Sequence, residues 1–375
     1  MRCLVVNSRQ SKQPTGTQPW VINTVAAVRD CAAANYEIIA SLGTPFWELV
    51  LWAGVQCNAK LHVICPCPTK QTELLLPGDR MAPVTEAIKQ YTIEQFSLRP
   101  ERVTWHFVAH TPSRPKSSWN ERDRLAYHLA THVVPVSLRA ESQWNARMVE
   151  APKPLINDYR VRYEPRCPKP QWEKRQPSNI AQLWPPGSLV HLTRSCHGPW
   201  PGETRARYYQ DVVASSEDYP RNALATVCRI IEQRCILGST FRAIASKPRV
   251  CFTQNSADKV VQLVRYRRRY ARYCFEPYGI AIMPDAAVRI AKPVFYTQTS
   301  RRRSKSAEAE LSWLRQGAGT NMHWASENEW RAPNHVNLGN FRTDELLVIV
   351  ATEHEQRQVQ PCCPYRVVSL GYQSR

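Results

Sequence analysis

Residues 37–65 read EIIASLGTPFWELVLWAGVQCNAKLHVIC, and the architecture of the first half of the chain follows from their pattern. The short apolar runs at residues 37–41 and 60–65 are typical of buried parallel strands. Between them, Gly-Thr-Pro at residues 43–45 begins a segment whose large apolar residues continue to Trp52 and predict a helix. Strand, helix and strand at this spacing form the repeating unit of a parallel sheet.

The same alternation continues on both sides of this stretch. Apolar runs predict further strands at residues 3–7, 102–108 and 133–138, and helices over residues 19–34 and near residues 119–132. We therefore expect an α/β fold in the first half, a Rossmann-like domain over residues 1–145 with a doubly wound parallel sheet.

Polar residues follow the strand at residues 37–41, at the sheet edge where such folds bind ligands. Ser41, Gly43 and Thr44 precede a helix whose free N–H groups would either hold a phosphate or form an ordinary helix cap. The sequence contains neither GxGxxG nor GxxxxGK[ST], so it predicts no particular nucleotide.

Proline marks the change between the two halves. Residues 151–190 contain eight prolines, a density that prevents helix and favours an extended connection. We place a linker at residues 146–187 and a second domain at residues 188–375. Short apolar runs in that half, separated by polar and basic stretches, predict an α+β domain around a mixed, mostly antiparallel sheet.

Composition limits the class of protein. Lys and Arg number 50 against 31 Asp and Glu, a formal net charge of +19, which favours DNA as a partner over a protein that is simply basic. The 13 cysteines include no CxxC pair, so we expect reduced thiols, no metal and no cofactor. The chain has no apolar run of membrane-spanning length and no secretion-signal pattern at its start. We therefore expect a cytoplasmic protein without membrane contact.

Two arginine-rich tracts are the predicted DNA-binding segments. The first, RYRRRYARY at residues 265–273, combines arginines that contact phosphates with tyrosines that stack on bases. The second, RRRSK, occupies residues 301–305. Such a run of charge repels itself unless a polyanion is near, which favours DNA binding over a solvated helix face. The predicted DNA-binding residues are Arg265, Arg267, Arg268, Arg269, Arg272, Arg301, Arg302 and Arg303.

A strand and the loop after it predict a ligand pocket. His191 lies in the strand, Thr193 and Arg194 follow it, and the loop SCHGPWPGE at residues 195–203 carries Trp200. Loops of this composition on a rigid scaffold are commonly functional. His and Thr would hydrogen-bond a polar ligand and Trp would cover its ring, whereas His191 by itself would more simply be a satisfied core histidine.

The sequence ENEWR at residues 327–331 contains two carboxylates at i and i+2, which lie on one face of a strand. If Glu327 and Glu329 point into one cavity, at least one pKa rises, which suits a general acid or base. The alternative is a solvated edge strand with Glu–Arg pairing.

Cys251, between Val250 and Phe252, is typical of a small buried hydrophobic residue. It would act as a nucleophile only if it faced the pocket near His191. We expect His191, Cys251 and Glu329 to line one cleft.

Several of these motifs resemble known families. HLT at residues 191–193, ILGS at 236–239, VCFT at 250–253, PVFY at 293–296 and a late Glu resemble the ADP-ribosyltransferase-like layout of DarT-type DNA-modifying toxins. The resemblance implies an ADP-ribosyltransferase-like second domain.

Other motifs are similar to phage-defence proteins. YGIA at residues 278–281 with ENEWR is similar to bacterial abortive-infection proteins. The loop at residues 195–203 with Tyr208-Tyr209 most resembles DpdC-type proteins of the bacterial gene cluster that puts 7-deazaguanines into DNA, and NSRQ at residues 7–10 fits the same group. The resemblance implies a restriction–modification or phage-defence setting, with DNA and other proteins of that cluster as partners.

The DpdC-type resemblance implies hydration of the nitrile of 7-cyano-7-deazaguanine (preQ0) in DNA to the 7-amido form, without metal. In that reaction Glu329 or Glu327 would deprotonate water, and His191, Thr193 or Arg194 would hold the nitrile nitrogen. The flipped base would be received by Trp200 or Phe252. A covalent variant has Cys251 attack the nitrile carbon to give a thioimidate.

Two other functions remain open. An NAD-dependent DNA ADP-ribosyltransferase would use His191 on the ribose of NAD and Glu329 at the reacting sugar, although the sequence lacks a clear second-position Tyr or Ser-Thr-Ser stretch. A non-catalytic DNA-binding sensor would bind a nucleotide in its Rossmann-like half.

Overall fold

The computed structural model describes residues 1–68, 84–110, 115–164, 172–173, 180–240, 248–267, 272–297, 312–317 and 325–374. The chain forms two compact units. Unit 1 comprises Met1–Arg166 and His197–Arg221, and unit 2 comprises Cys167–Cys196 and Asn222–Arg375. The division differs from the predicted one, with a linker at residues 146–187, because residues 197–221 return to the first unit.

Unit 1 is built on a five-stranded parallel sheet with the order β4-β3-β2-β1-β5. The strands are β1 (Arg2–Val6), β2 (Glu37–Ser41), β3 (Leu61–Pro68), β4 (Val103–His110) and β5 (His132–Pro135). The order reverses between β1 and β5. Since parallel crossovers are right-handed, this reversal puts the β4–β5 helix on the opposite sheet face from the earlier helices. The doubly wound parallel sheet predicted for the first half is therefore present.

The helices of unit 1 cover a sheet whose central strands are almost entirely buried, which explains their continuous apolar runs. They are α1 (Pro19–Ala33), α2 (Pro45–Gln56), α3 (Val84–Phe96), α4 (Pro115–Leu129), α5 (Gln143–Glu150) and α6 (Arg205–Ala214). Tyr208, Tyr209 and Val212 of α6 are buried in the core of unit 1, and this burial holds the returning segment there.

Unit 2 contains a seven-stranded sheet with the order β13-β16-β9-β7-β12-β18-β19. Its strands are β7 (Leu189–Leu192), β9 (Arg249–Thr253), β12 (Gly279–Ile282), β13 (Lys292–Pro293), β16 (Glu329–Pro333), β18 (Leu346–Val350) and β19 (Arg366–Ser369). All neighbours pair antiparallel except β18 and β19. The sheet is therefore mixed and mostly antiparallel, as predicted.

In the described part of unit 2, short strand pairs and helices accompany this sheet. The short strands are β6 (Trp172–Glu173), β8 (Cys235–Ile236), β10 (Tyr266–Arg267), β11 (Arg272–Tyr273), β14 (Phe295–Thr297), β15 (Arg315–Gly317), β17 (Val336–Asn337) and β20 (Gln373–Ser374). The helices are α7 (Ala223–Gln233), α8 (Ala257–Leu263), α9 (Pro284–Ile290) and α10 (Glu353–Val359).

The C-terminal segment belongs to the sheet of unit 2. Residues 366–369 form β19 and extend the sheet in parallel with β18, because Val367 and Val368 bury their side chains in the core. Helix α7 is capped at its C-terminus by Arg234, which adopts the left-handed conformation (φ 48°).

Candidate active site in unit 2

The three strands that carry the sequence motifs, β7, β9 and β16, are neighbours in the sheet of unit 2. Thr253 lies opposite both Val190 and Glu329, and Cys251 lies opposite Arg331. Residues directly opposite each other share a face of the sheet, and successive residues alternate. Cys251, Glu329 and Arg331 therefore share one face.

His191 lies on the other face, with Phe252. Its ring meets the Phe252 ring edge-on, with the centroids 5.9 Å apart. Its Nδ1 lies 2.9 Å from the carbonyl oxygen of Cys251, and burial lowers its pKa, so a neutral ring donates to that carbonyl. The sheet itself therefore separates His191 from Cys251 and Glu329, which were predicted to line one cleft. His191 is half-buried, and its Nδ1 is satisfied by the Cys251 carbonyl.

The two residues after β7 are positioned by a buried carboxyl that the sequence motifs did not indicate. The backbone N–H and hydroxyl of Ser195 donate to Glu276 at 2.8 and 3.0 Å, and burial raises the pKa of Glu276. Thr193 is buried, and its N–H donates to the Tyr278 carbonyl at 2.9 Å, whereas Arg194 is exposed. Hydrogen bonds therefore hold Thr193 and Ser195 in place just after the end of β7.

Trp200 belongs to unit 1, in contrast to the prediction that it covers a ligand beside His191. The Arg221 guanidinium lies 4.0 Å from the centroid of the Trp200 ring, and the backbone N–H of Trp200 donates to Glu203 at 2.9 Å. Arg221 is itself paired with Glu203 and, at 2.7 Å, with Asp211. Trp200 therefore helps to close the returning segment on itself.

Glu329 forms a buried ion pair with Arg331. The guanidinium donates to both carboxylate oxygens, at 2.8 and 3.1 Å, and the Arg331 side chain is only 3% exposed. Arg331 also donates to the Trp313 carbonyl and to Gln316 Oε1, each at 2.6 Å. Glu–Arg pairing, one of the two alternatives for this motif, is therefore the arrangement of Glu329.

Glu327 lies in a short 3₁₀ turn before β16, rather than on the strand. Burial, and next the neighbouring Glu329 carboxylate, raise its pKa to about 7, and Arg267 acts in the opposite direction. Thr253 Oγ1 donates to the Glu327 carbonyl at 2.6 Å, and Asn255 Nδ2 donates to the Ser326 carbonyl at 2.9 Å. The turn is thus fixed and presents a carboxyl that titrates near neutrality.

Two more ionisable side chains face this carboxyl pair. Desolvation of the Cys251 thiol, then the charge of Glu329 and a hydrogen bond to it, raise the thiol pKa to about 12. The Tyr296 hydroxyl accepts the N–H of Glu329 at 3.1 Å, and burial raises its pKa. At neutral pH the site therefore combines a protonated thiol, a protonated phenol and a half-ionised carboxyl.

The described part of the first arginine tract is a small hairpin of β10 and β11. Arg265 and Arg267 are exposed on it, while the rings of Tyr266 and Tyr273 pack edge-on at 5.1 Å and adjoin the core. These two tyrosines are packing residues, in contrast to the predicted stacking role. The side chain of Arg272, and all of Arg268, Arg269, Arg301, Arg302 and Arg303, lie outside the described residues.

The proposed phosphate position after β2 is filled by the protein. The Gly43 N–H donates to Glu48 at 3.1 Å, Thr44 caps α2 by accepting from Trp47, and Ser41 donates to the Ile64 carbonyl. Glu48 is buried and also binds Tyr209 at 3.0 Å. The Glu48 carboxylate thus takes the N–H group that a bound phosphate would use, and Thr44 forms an ordinary cap of α2.

Among the described residues, no group of three or more His, Cys, Asp or Glu has a metal-binding arrangement. Within the same ranges, no helix has the length and apolar character needed to cross a bilayer.

The chain matches no protein-family model and no curated protein sequence. Two solved structures resemble part of it. DNA processing protein A (DprA) from Streptococcus pneumoniae has a TM-score of 0.25 and 12% identity, over 41% of this chain and 58% of that one. The molybdenum cofactor carrier protein from Chlamydomonas reinhardtii has a TM-score of 0.22 and 10% identity, over 42% of this chain and 89% of that one. Likeness at this level carries no functional argument.

Proposed function

We propose that unit 2 modifies a base of DNA and that Glu327 is its general acid–base. The observation that carries the proposal is the position of this carboxyl, half-buried in a fixed turn, with a pKa near 7 and the exposed Arg267 close by. A carboxyl with that pKa is matched to proton transfer at neutral pH. The arginine places a phosphate contact next to it.

The reaction we propose is hydration of the nitrile of 7-cyano-7-deazaguanine in DNA. Ionised Glu327 takes a proton from water, and the water oxygen bonds to the nitrile carbon while the nitrile nitrogen gains a proton. Transfer of the second water proton to nitrogen completes the carboxamide, so one water is consumed and no leaving group departs. The Tyr296 hydroxyl, which its raised pKa keeps protonated, gives the nitrile nitrogen its first proton and regains a proton from protonated Glu327.

A covalent route through Cys251 is less favoured by the geometry. A thiol with a pKa of about 12 is almost entirely protonated at neutral pH, so it would have to pass its proton to Glu329 before attack. Glu329 already accepts two hydrogen bonds from Arg331, so both of its carboxylate oxygens are engaged by the guanidinium. We therefore assign the attacking role to water.

The test is direct. The protein is incubated with DNA that carries 7-cyano-7-deazaguanine, the DNA is digested to nucleosides, and the nucleoside masses are measured by mass spectrometry. A gain of one water, abolished by Glu327→Gln and retained in Cys251→Ala, is the expected result. No gain, with or without partner proteins, rejects the reaction, and loss of turnover in Cys251→Ala restores the covalent route.

A second candidate is NAD-dependent ADP-ribosyl transfer to DNA. It is favoured by the adjacency of β7, β9 and β16, the three strands on which the ADP-ribosyltransferase-like motifs lie. NAD consumption with ADP-ribosylated DNA would support it over hydration. Tight DNA binding with neither activity would support the non-catalytic sensor.

A further inference from the structure

Three ionisable side chains form a hydrogen-bonded chain on one face of the sheet of unit 1. Glu37 begins β2, His62 is the second residue of β3, and His106 lies in the middle of β4. The register of the strands puts the three side chains on the same face, because residue 39 lies opposite residue 62 and residue 64 opposite residue 106. His62 Nε2 lies 2.9 Å from a Glu37 carboxylate oxygen, and His62 Nδ1 lies 3.0 Å from His106 Nε2.

The positions of the protons in this chain follow from its acceptors. The hydrogen bond from His62, together with the charges of His62, Lys60 and the N-terminal amine, lowers the pKa of Glu37, so the carboxylate is ionised at neutral pH. An ionised carboxylate only accepts hydrogen bonds, so His62 Nε2 carries the proton of that contact. A neutral imidazole has a single N–H, so His62 Nδ1 is then the acceptor and His106 Nε2 the donor. Both contacts are therefore satisfied while both rings are neutral.

The chain accepts one more proton but not two. With one, either ring becomes an imidazolium, both hydrogen bonds persist, and the Glu37 carboxylate compensates the charge. With two, His62 Nδ1 and His106 Nε2 both carry a hydrogen, and no lone pair remains between two nitrogens that lie 3.0 Å apart. Two positive rings, with centroids 5.3 Å apart, then repel each other. The contact between the histidines therefore exists only while at least one ring is neutral.

The surroundings of the chain oppose the second proton. Burial, and then the charges of His62 and Arg2, lower the pKa of His106. Among the described residues, the other charges that act on the chain are Lys60 and the N-terminal amine, which face Glu37. A base whose pKa is lowered on folding binds protons more readily in the unfolded chain, so stability falls as the pH falls below the ordinary histidine value of 6.5. The lowered pKa of Glu37 has the same effect only below its own ordinary value of 4.5, so the interval between these values belongs to the histidines.

The strand that carries His106 is the outermost one on its side of the sheet. In the described part of the chain, β4 pairs with β3 and with no other strand. An outer strand has ladder hydrogen bonds on one edge only, so its side-chain contacts matter more for keeping it in place. We propose that the His62–His106 contact is a pH-sensitive switch, which holds β4 against β3 at neutral pH and is lost when both rings are protonated. The loss loosens this edge of unit 1 between about pH 7 and pH 5, the range in which imidazoles change charge.

The experiment compares the two outer strands of the same sheet in the full chain. Hydrogen exchange followed by mass spectrometry is measured at about pH 7.5 and about pH 5, and each rate is divided by that of an unstructured reference peptide at the same pH. We expect peptides that cover β4 to exchange about tenfold faster at the lower pH, the effect of losing one hydrogen bond. Peptides that cover β5, the other outer strand, should keep their rate. Equal rates for β4 at both pH values, or equal acceleration in β4 and β5, overturns the proposal.

Two variants identify the group that responds. His106→Gln keeps an N–H donor for His62 Nδ1 but never becomes charged, so β4 should exchange slowly at both pH values. His132→Gln is the matched control, because His132 is a half-buried histidine of β5 that contacts the Thr131 hydroxyl at 3.1 Å. This variant should keep the response of β4. A response that survives His106→Gln, or one that His132→Gln removes, rejects the His62–His106 contact as the switch.

Discussion

Glu327 and Glu329 are separated by one residue, yet their surroundings give them opposite roles. Glu329 is matched by the guanidinium of Arg331, so its charge is compensated at the sheet face. Glu327 lies one step before the strand, where burial and the Glu329 charge both disfavour ionisation and raise its pKa to about 7. The carboxylate of Glu329 is thereby structural, and Glu327 is the one to which we assign proton transfer.

Glu327→Gln should abolish activity and stabilise the fold at alkaline pH. A carboxyl with its folded pKa raised from 4.5 to about 7 contributes stability that is complete below 4.5 and lost as the pH rises through 7. The amide never ionises, so it removes a cost of about 1–2 kcal/mol near pH 8, allowing for solvent screening. Urea unfolding near pH 8 and pH 4 measures this, and an equal effect at both pH values would contradict the raised pKa. If the proposed reaction takes place, its rate in the unmodified protein should rise with pH through about 7.

Glu329→Gln should act mainly on stability. It leaves the Arg331 guanidinium buried with an uncompensated charge, a loss of about 3–5 kcal/mol in the free energy of unfolding. The chain contains a matched control, since Arg342 and Asp344 form an ion pair at the same i, i+2 spacing with both side chains more than 70% exposed. Asp344→Asn should leave stability almost unchanged, because a solvent-exposed ion pair contributes little to it. Similar losses for the two variants in denaturant unfolding would show that burial does not decide the role of Glu329.

At the scale of the element, the 3₁₀ turn of Ala325–Glu327 depends on β9 for its position. Thr253 in β9 donates to the Glu327 carbonyl at 2.6 Å and accepts the N–H of Asn255 at 3.2 Å. One hydroxyl therefore links β9 both to the turn and to Asn255, the residue that holds the Ser326 carbonyl. It makes Thr253 a positioning residue for Glu327.

Thr253→Val should open the turn and move the pH dependence of activity. It keeps the side-chain shape but removes the hydroxyl, at a cost of about 1–3 kcal/mol for the groups left without a partner. Greater access of water to Glu327 then lowers its pKa from about 7 toward 4.5, so the midpoint of the pH–activity profile moves to lower pH. Thr253→Ser should restore the midpoint. A fall in activity at an unchanged midpoint would mean that Thr253 supports the sheet without setting the environment of Glu327.

The sequence predicted elements better than it predicted the site. The strands at residues 3–7 and 37–41 were predicted close to their observed bounds because buried strands need continuous apolar runs. Whether His191 shares a face with Glu329 depends on the register of β7 against β9, and local pattern holds no information about register. The role of Glu276 was missed for the same reason, because its partner Ser195 is 81 residues away in sequence.

At the scale of the whole molecule, the chain enters unit 2 and then returns to unit 1 for residues 197–221 before it completes unit 2. The first break between the units, at residues 166–167, lies within the proline-rich stretch, but helix α6 after it belongs to the earlier core. Tyr208, Tyr209 and Val212 supply buried side chains there, and the Tyr209 hydroxyl binds the buried Glu48. The parallel sheet of unit 1 is therefore completed by chain that follows the linker.

Tyr209→Ala should consequently destabilise unit 1, although the residue lies beyond the predicted boundary. The Tyr209 ring is 1% exposed and stacks on Phe96 at 6.4 Å, so its removal leaves a cavity that costs about 3–5 kcal/mol. Loss of the Tyr209 hydroxyl also removes one hydrogen-bond donor from the Glu48 carboxylate. Hydrogen exchange followed by mass spectrometry should show faster exchange in β1 and β2 of unit 1, with β12 and β18 of unit 2 much less affected. Ile22→Ala, which truncates a residue 51% exposed on α1, is the control and should leave exchange unchanged. Faster exchange confined to β12 and β18 would contradict the placement of residues 197–221 in the core of unit 1.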